Sequence, residues 1–236
     1  MIVYGRNVIR EAIRSQYPIS QVRLTDSASK FLSELLKKAS HAGVAIIPNK
    51  SNQLDAWAGT ETHQGVAAEV ADFNGVSLNE IINSQTQKST VVILDQVQDP
   101  RNLGAIARTA FAAGAGGMVL PRRGSAPVSA VALKASAGAF FHIKVAYETN
   151  LTRAVDKLKN AGYWVYGADA KAGQDIYTID FAPLVAMVFG GEGKGLRQLV
   201  KSKCDQLFRI PMQGQMESLN VSVAAGVALY EIMRKK

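Results

Sequence analysis

The sequence predicts an α/β protein in two parts, a small α/β unit followed by a larger domain on a parallel sheet. Three observations lead there. From residue 90 onward, short apolar runs, most of them rich in valine and isoleucine, alternate with helical patterns. Those runs are apolar on both faces, the mark of strands covered by helices on either side. A polar stretch at 83–89, poor in bulky apolar side chains, separates this pattern from the first seventy residues.

The elements follow in order. Val8, Ile9, Ala12 and Ile13 recur at helical spacing after Asn7, and a strand-like QVRLT follows at 21–25. A helix with Phe31, Leu35, Leu36 and Ala39 on its apolar face ends at Gly43; VAIIP (44–48) and GVAAEV (65–70) are extended. The first unit is placed at 1–71, a linker at 72–89 and the second domain at 90–236. In the second domain TVVILD (90–95), GMVLP (117–121), YWVYGA (163–168), LVAMVFG (184–190) and QLFRIP (206–211) are the strands. Helical patterns lie between and after them at 103–113, 127–138, 152–161 and 219–233.

Composition narrows the chemistry. The 236 residues are 47% hydrophobic and 19% charged, which supports a buried core, and the net charge of +8 favours a polyanionic partner. The excess is shared: residues 1–70 carry eight Lys/Arg against six Asp/Glu, and the rest nineteen against thirteen. A single cysteine, Cys204, and three histidines without ligand spacing point away from disulfides and from metal chemistry. The first residues, MIVYGRNVIREAI, are charged too early for a signal peptide. No run approaches the roughly 20 apolar residues that span a bilayer, so a cytoplasmic protein is expected.

Two glycine-rich segments fail as nucleotide motifs. GGEGKGL (190–196) lacks the spacing of a P-loop, and in AGAGGMV (113–119) the third glycine of a dinucleotide fingerprint would be Val119. Three strand-to-loop junctions remain, at the C-terminal strand ends where open α/β sheets bind ligands. In LDQVQDPRNLGAIARTAFAAG (94–114), Asn102 sits where a helix begins and Arg108 follows six residues later. Six residues turn a helix through about 600°, so the two converge only if Asn102 stays in the loop or cap. On the residues alone, Asn102 reads first as a helix cap and Arg108 as a surface charge. In VFGGEGKGL (188–196), Glu192 lies among glycines that allow close backbone approach to a ligand, or is simply a solvated turn residue. In RIPMQGQMESLNVSVAAGVALYE (209–231), Ser218 and Asn220 lead into an apolar helix, either as caps or as part of a ligand site.

Taken together, the three segments resemble the SpoU (TrmH) family of RNA ribose methyltransferases, of the SPOUT class. Asn102-x5-Arg108, Gly190-x-Glu192-x-x-Gly195 and Ser218-Leu219-Asn220-Val221-Ser222-Val223-Ala224 appear in the family's order and spacing. MIVYGRNVIREAI and His63-Gln64-Gly65 resemble the N-terminal domain, similar to ribosomal protein L30e, of the family's large-subunit rRNA guanosine methyltransferases.

The resemblance implies a SPOUT fold with a deep trefoil knot and a homodimer with the cofactor cleft near its interface. S-adenosylmethionine is held by backbone groups at Gly190, Ile210 and Leu219. Arg108 is the family's proposed base, although a free guanidinium has a pKa above about 12. Either burial neutralises it, or it binds a phosphate and polarises the hydroxyl while another acceptor takes the proton. Asn102 would orient Arg108 or the ribose, Glu192 would hold Arg108 or a nucleotide group, and Ser218 and Asn220 would fix the acceptor loop. The implied substrate is a guanosine ribose in large-subunit (23S) rRNA, with no DNA or membrane partner and no metal. A tRNA enzyme, a resistance methyltransferase and a non-catalytic RNA-binding protein stand as alternatives. Arg6, Arg10 and His63 are the candidate RNA contacts of the first unit, or exposed helix charges and a turn histidine.

Overall fold

The computed structural model describes residues 1–84, 86–87, 89–214 and 217–235. The expected polar stretch at 83–89 therefore falls outside the described residues at Gln85 and Lys88, and the third motif loop at Gln215 and Met216.

The first unit contains β1 (Ile2–Tyr4), α1 (Arg6–Arg14), β2 (Ile19–Leu24), α2 (Asp26–His41), β3 (Ala45–Pro48), α3 (Ser51–Ala58) and β4 (Val66–Val70). Its sheet runs β1-β4-β2-β3, antiparallel except for the parallel β2–β3 pair. Sequence reading finds β2, β3, β4 and both long helices but not β1, which has three residues, nor α3.

The expected linker at 72–89 is not bare chain. Val76 N–H donates to the Val145 carbonyl at 2.8 Å, and α4 (Leu78–Asn83) follows. Ser77 and Glu80 form a reciprocal capping box at its start, and Leu78 and Ile81 are buried. The Ser-x-x-Glu spacing was the legible signal.

The second unit continues with β5 (Ser89–Asp95), α5 (Pro100–Ala112), β6 (Gly117–Pro121), α6 (Ala130–Ala135), β7 (Val145–Glu148) and α7 (Leu151–Asn160). Then come β8 (Trp164–Ala168), β9 (Leu184–Gly190), α8 (Gln198–Lys201), β10 (Gln206–Phe208) and α9 (Val221–Lys235). The sheet is parallel throughout, in the order β10-β8-β9-β5-β6-β7, so the parallel α/β expectation holds. Every residue of β5 and β6 is buried. Alternate residues serve opposite faces. Val92, Leu94, Met118, Met187 and Phe189 share a core with residues of α5, α6 and α9, whereas Val91, Ile93, Val119 and Val188 pack with those of α4, α7 and α8.

The first of these cores runs on into the small unit through Val3, Val8 and Ile9. The two units are locked at α1 and the chain after α6. Tyr17 and Phe141 rings lie 4.8 Å apart, Phe73 and Phe140 rings 5.8 Å apart, and His142 Nε2 is 3.1 Å from Glu11 Oε2. Gly138 is required there, since a Cβ would lie 2.7 Å from Glu11 Cβ. No helix is long and apolar enough to cross a membrane among the described residues.

Candidate active site

The chain leaves β5 toward β6 on one side and returns through β8 and β9 on the other, so β5 and β9 flank the point where strand order reverses. In register Asp95 lies beside Gly190 at the C-terminal ends of these two strands. Asp95 has no exposed surface, and a buried carboxylate needs compensation. Arg197 supplies it: its backbone N–H donates to Oδ2 at 2.9 Å, its Nε to Oδ1 at 2.8 Å, and Nη2 stands 2.7 Å from Oδ1. This clamp, which sequence reading missed, closes the loop after β9 back onto the end of β5. The signal was there, as an aspartate ending an otherwise apolar strand.

Between those anchors the loop folds tightly. Gly195 N–H donates to the Gly191 carbonyl at 3.2 Å. A Cβ at Gly190 would run into the Gly195 backbone, and one at Gly191 into the Gln96 carbonyl. Gln96 itself adopts a left-handed φ of 64°, a conformation uncommon outside glycine and often found at functional sites.

The helix after β5 begins earlier than its apolar pattern suggests. Asp99 caps it, accepting from Arg101 N–H at 2.7 Å, and Pro100 occupies the first turn, where its missing N–H costs nothing. Asn102 is therefore inside α5 and is not its cap. Asn102 and Arg108 then point in different directions, and they do not meet. Asn102 Nδ2 donates to Glu192 Oε1 at 2.7 Å, and its Oδ1 accepts from Asn220 Nδ2 at 3.1 Å. Asn220 Oδ1 in turn accepts from Ser222 N–H at 2.8 Å and Ser222 Oγ at 2.6 Å, while its carbonyl accepts from Ala224 N–H at 2.9 Å. Asn220 is thus both a cap of α9 and a member of the site.

Glu192 Oε2 also accepts the Gln98 N–H at 3.2 Å. Burial works against its charge, but hydrogen bonds from Asn102 and from backbone N–H groups of Glu192 itself, Gln98 and Asp99 outweigh that. They hold its pKa below the ordinary glutamate value. The chain Glu192–Asn102–Asn220–Ser222 fixes both amides in one orientation and ties all three motif segments together.

Arg108 is exposed, and its side chain makes no hydrogen bond or ion pair among the described residues. The expected contacts of Asn102 and Glu192 with Arg108 are therefore absent within one chain. Ser218 is exposed and forms no hydrogen bond to a described residue. Ile210 packs partly buried against the core and Leu219 is exposed. Neither Ile210 nor Leu219 makes a backbone hydrogen bond with another described residue, so their peptide groups are free to meet a ligand.

A cleft of about 200 Å³ opens between these loops, lined by Gln96, Gln98, Gly191, Glu192, Lys194 and Gly195. A larger one, about 320 Å³, lies beyond Arg197 and is lined from Thr149–Thr152 and Arg197–Val200. Among the described residues no three His, Cys, Asp or Glu side chains converge as metal ligands.

In the first unit the structure separates the three candidates. His63 is buried; its Nε2 lies 2.6 Å from Asp55 Oδ1 and its Nδ1 accepts from Gly65 N–H at 2.8 Å, so it is not available to RNA. Arg10 is charge-paired through Nε to Glu11 at 3.1 Å. Arg6 donates through Nε to the Gln64 carbonyl at 3.1 Å and has no carboxylate partner among the described residues.

Known proteins resemble the chain along its length. The model of the SpoU rRNA methylase family covers residues 89–230, and the model for RNA 2′-O ribose methyltransferase substrate binding covers residues 2–75. A Bacillus subtilis protein named for the TrmH family of tRNA/rRNA methyltransferases is 39% identical over 99% of this chain and 95% of its own length. The AdoMet-bound rRNA methyltransferase from Sinorhizobium meliloti superposes with a TM-score of 0.83 at 26% identity, covering 99% of this chain and 86% of that one. The TrmH/SpoU tRNA modifying enzyme of A. aeolicus matches with a TM-score of 0.58 at 26% identity, over 67% of this chain and 80% of its own.

Proposed function

The chain belongs to the SpoU rRNA methylase family, and on that footing we propose that it methylates the ribose 2′-oxygen of a guanosine in large-subunit (23S) rRNA, using S-adenosylmethionine. The observation that carries the reading is the hydrogen-bonded chain through Asn102, Glu192 and Asn220, which joins the three motif segments at the ends of β5 and β9.

S-adenosylmethionine, when bound, supplies the methyl group. Gly190, Ile210 and Leu219 fit its adenosine part: Gly190 has no room for a side chain, and the other two offer unpaired peptide groups. The residues of the chain position the acceptor. Holding donor and acceptor in line contributes several kcal/mol, by the effective-molarity argument. Arg108, exposed and unpaired, acts as a charged guanidinium that binds a phosphate and polarises the 2′-hydroxyl, whose proton passes to another acceptor. Glu192, stabilised as a carboxylate by its hydrogen bonds, holds Asn102. Ser218 and Asn220 shape the acceptor loop, and a deep trefoil knot belongs to the proposed fold.

Residues 1–71 grip the RNA and 90–236 carry out the transfer, with 72–89 between them. Ribosomal RNA is favoured because the tRNA enzyme's likeness leaves about a third of this chain without a counterpart, whereas the rRNA enzyme's covers nearly all of it. A cytoplasmic homodimer completes the proposal, supported by an exposed apolar stripe on α9 at Val223, Tyr230 and Met233. Digestion of in vitro methylated large-subunit rRNA to nucleosides should give 2′-O-methylguanosine as the labelled product. A different methylated nucleoside would overturn the guanosine assignment.

A further inference from the structure

Four arginines lie in the small unit, and each guanidinium donates one hydrogen bond to a described residue. Arg10 and Arg14 both reach Glu11 at 3.1 Å, and Arg23 lies 4.4 Å from the half-buried Trp57 ring with its Nε on Gln21. Arg6 is different. Its backbone N–H donates to Gln64 Oε1 and its Nε to the Gln64 carbonyl, each at 3.1 Å, which leaves the four N–H groups on its terminal nitrogens without a partner among the described residues. The same guanidinium lies 5.3 Å from the ring centre of Phe31, which is 52% exposed on α2.

This arrangement is built. Gln64 adopts φ 58°, a left-handed conformation unusual for its type. It is held there by buried His63 on one side and Gly65 on the other, with the Gly65 carbonyl accepting from Thr25 N–H at 2.9 Å at the start of α2. His63-Gln64-Gly65 thus braces Arg6 against the helix that presents Phe31. Placement relative to the active site is fixed as well. Gly5, next to Arg6, packs against Lys134 of α6, and α6 packs on α5 at Gly104, two residues from Asn102.

We infer that Arg6 and Phe31 form a docking platform for the RNA substrate, on which an unpaired base stacks against Phe31 while the free guanidinium nitrogens hold a neighbouring phosphate. An exposed aromatic ring beside an unpaired cation suits an unstacked nucleotide, because every base has a π-face and the phosphate needs a positive donor. The rigid path to α5 makes the platform a ruler, setting which nucleotide reaches the acceptor cleft. The inference rests on the RNA methyltransferase reading and names a contact that serves it.

The test measures binding of in vitro transcribed large-subunit rRNA and tRNA to the full chain and to Phe31→Ala, Phe31→Leu, Phe31→Trp and Arg6→Ala. AdoMet binding and thermal unfolding are the checks on folding. Phe31→Ala and Phe31→Leu should weaken RNA binding about five- to a hundredfold with AdoMet binding unchanged, and Phe31→Trp should restore it. Arg6→Ala should lower the salt dependence by about one ion contact. Folded Phe31→Ala protein that binds RNA as tightly as the parent, or rescue by leucine equal to that by tryptophan, would overturn the platform. Phe31-dependent binding without methyl transfer would leave the platform standing and remove the catalytic reading; transfer indifferent to Phe31 would do the reverse.

Discussion

Glu192 is held by one side-chain amide and by the peptide N–H groups around it, and its behaviour should show it. A carboxylate whose pKa is depressed in the folded chain contributes stability above its unfolded value, and loses it as pH falls through the folded one. The Glu192 titration midpoint, followed by NMR, should therefore lie below the ordinary glutamate range of about 4 to 4.5. Asn102→Ala should move it upward by removing the strongest donor. Arg108 tests the chemistry instead. Arg108→Lys should keep AdoMet binding and lose most turnover, because a lysine lacks the planar fork; near-wild-type turnover would end that assignment. Arg197 tests the scaffold. Arg197→Ala leaves buried Asp95 without its guanidinium, with only the backbone N–H of residue 197 still donating to it, and should cost about 3 kcal/mol in a urea unfolding series. Much of this was legible in the residues. Asn102, Glu192 and Asn220 were singled out by motif spacing, and all three converge. Their partners were not legible, because a one-dimensional spacing does not say that Asn102 faces Glu192 and turns away from Arg108.

At the scale of elements, periodicity located the strands of the large sheet except β7, whose four residues are too few to show a pattern. Boundaries failed where local capping overrode the apolar pattern, as at the start of α5, where Asp99 and Pro100 open the helix before its apolar residues begin. The contact of α5 with α6 depends on Gly104, where an added Cβ would lie 2.5 Å from the Ala132 carbonyl oxygen and 2.6 Å from Ala135 Cβ. Glycine to alanine inside a helix ordinarily stabilises by about 1 kcal/mol. Here the sign should reverse: Gly104→Ala is expected to lower the thermal midpoint, since backbone must shift to make room. A raised midpoint would show that α5 and α6 are looser than this packing.

For the molecule as a whole, the two units share one continuous core and their join at α1, Phe140 and Phe141 is tightly packed. Composition pointed to a polyanionic partner without placing it; the fold puts an arginine with no carboxylate partner among the described residues on the small unit and a polar cleft on the large one. The central claim is ribose methylation of large-subunit rRNA through the Asn102–Glu192–Asn220 site. It is tested most directly by incubating the protein with radiolabelled S-adenosylmethionine and, separately, unmodified large-subunit rRNA and bulk tRNA, with Arg108→Ala as control. Label in the rRNA at one nucleotide that resists alkaline cleavage, and its loss in Arg108→Ala, is the predicted result. Label confined to tRNA, or label that persists in Arg108→Ala, would contradict it.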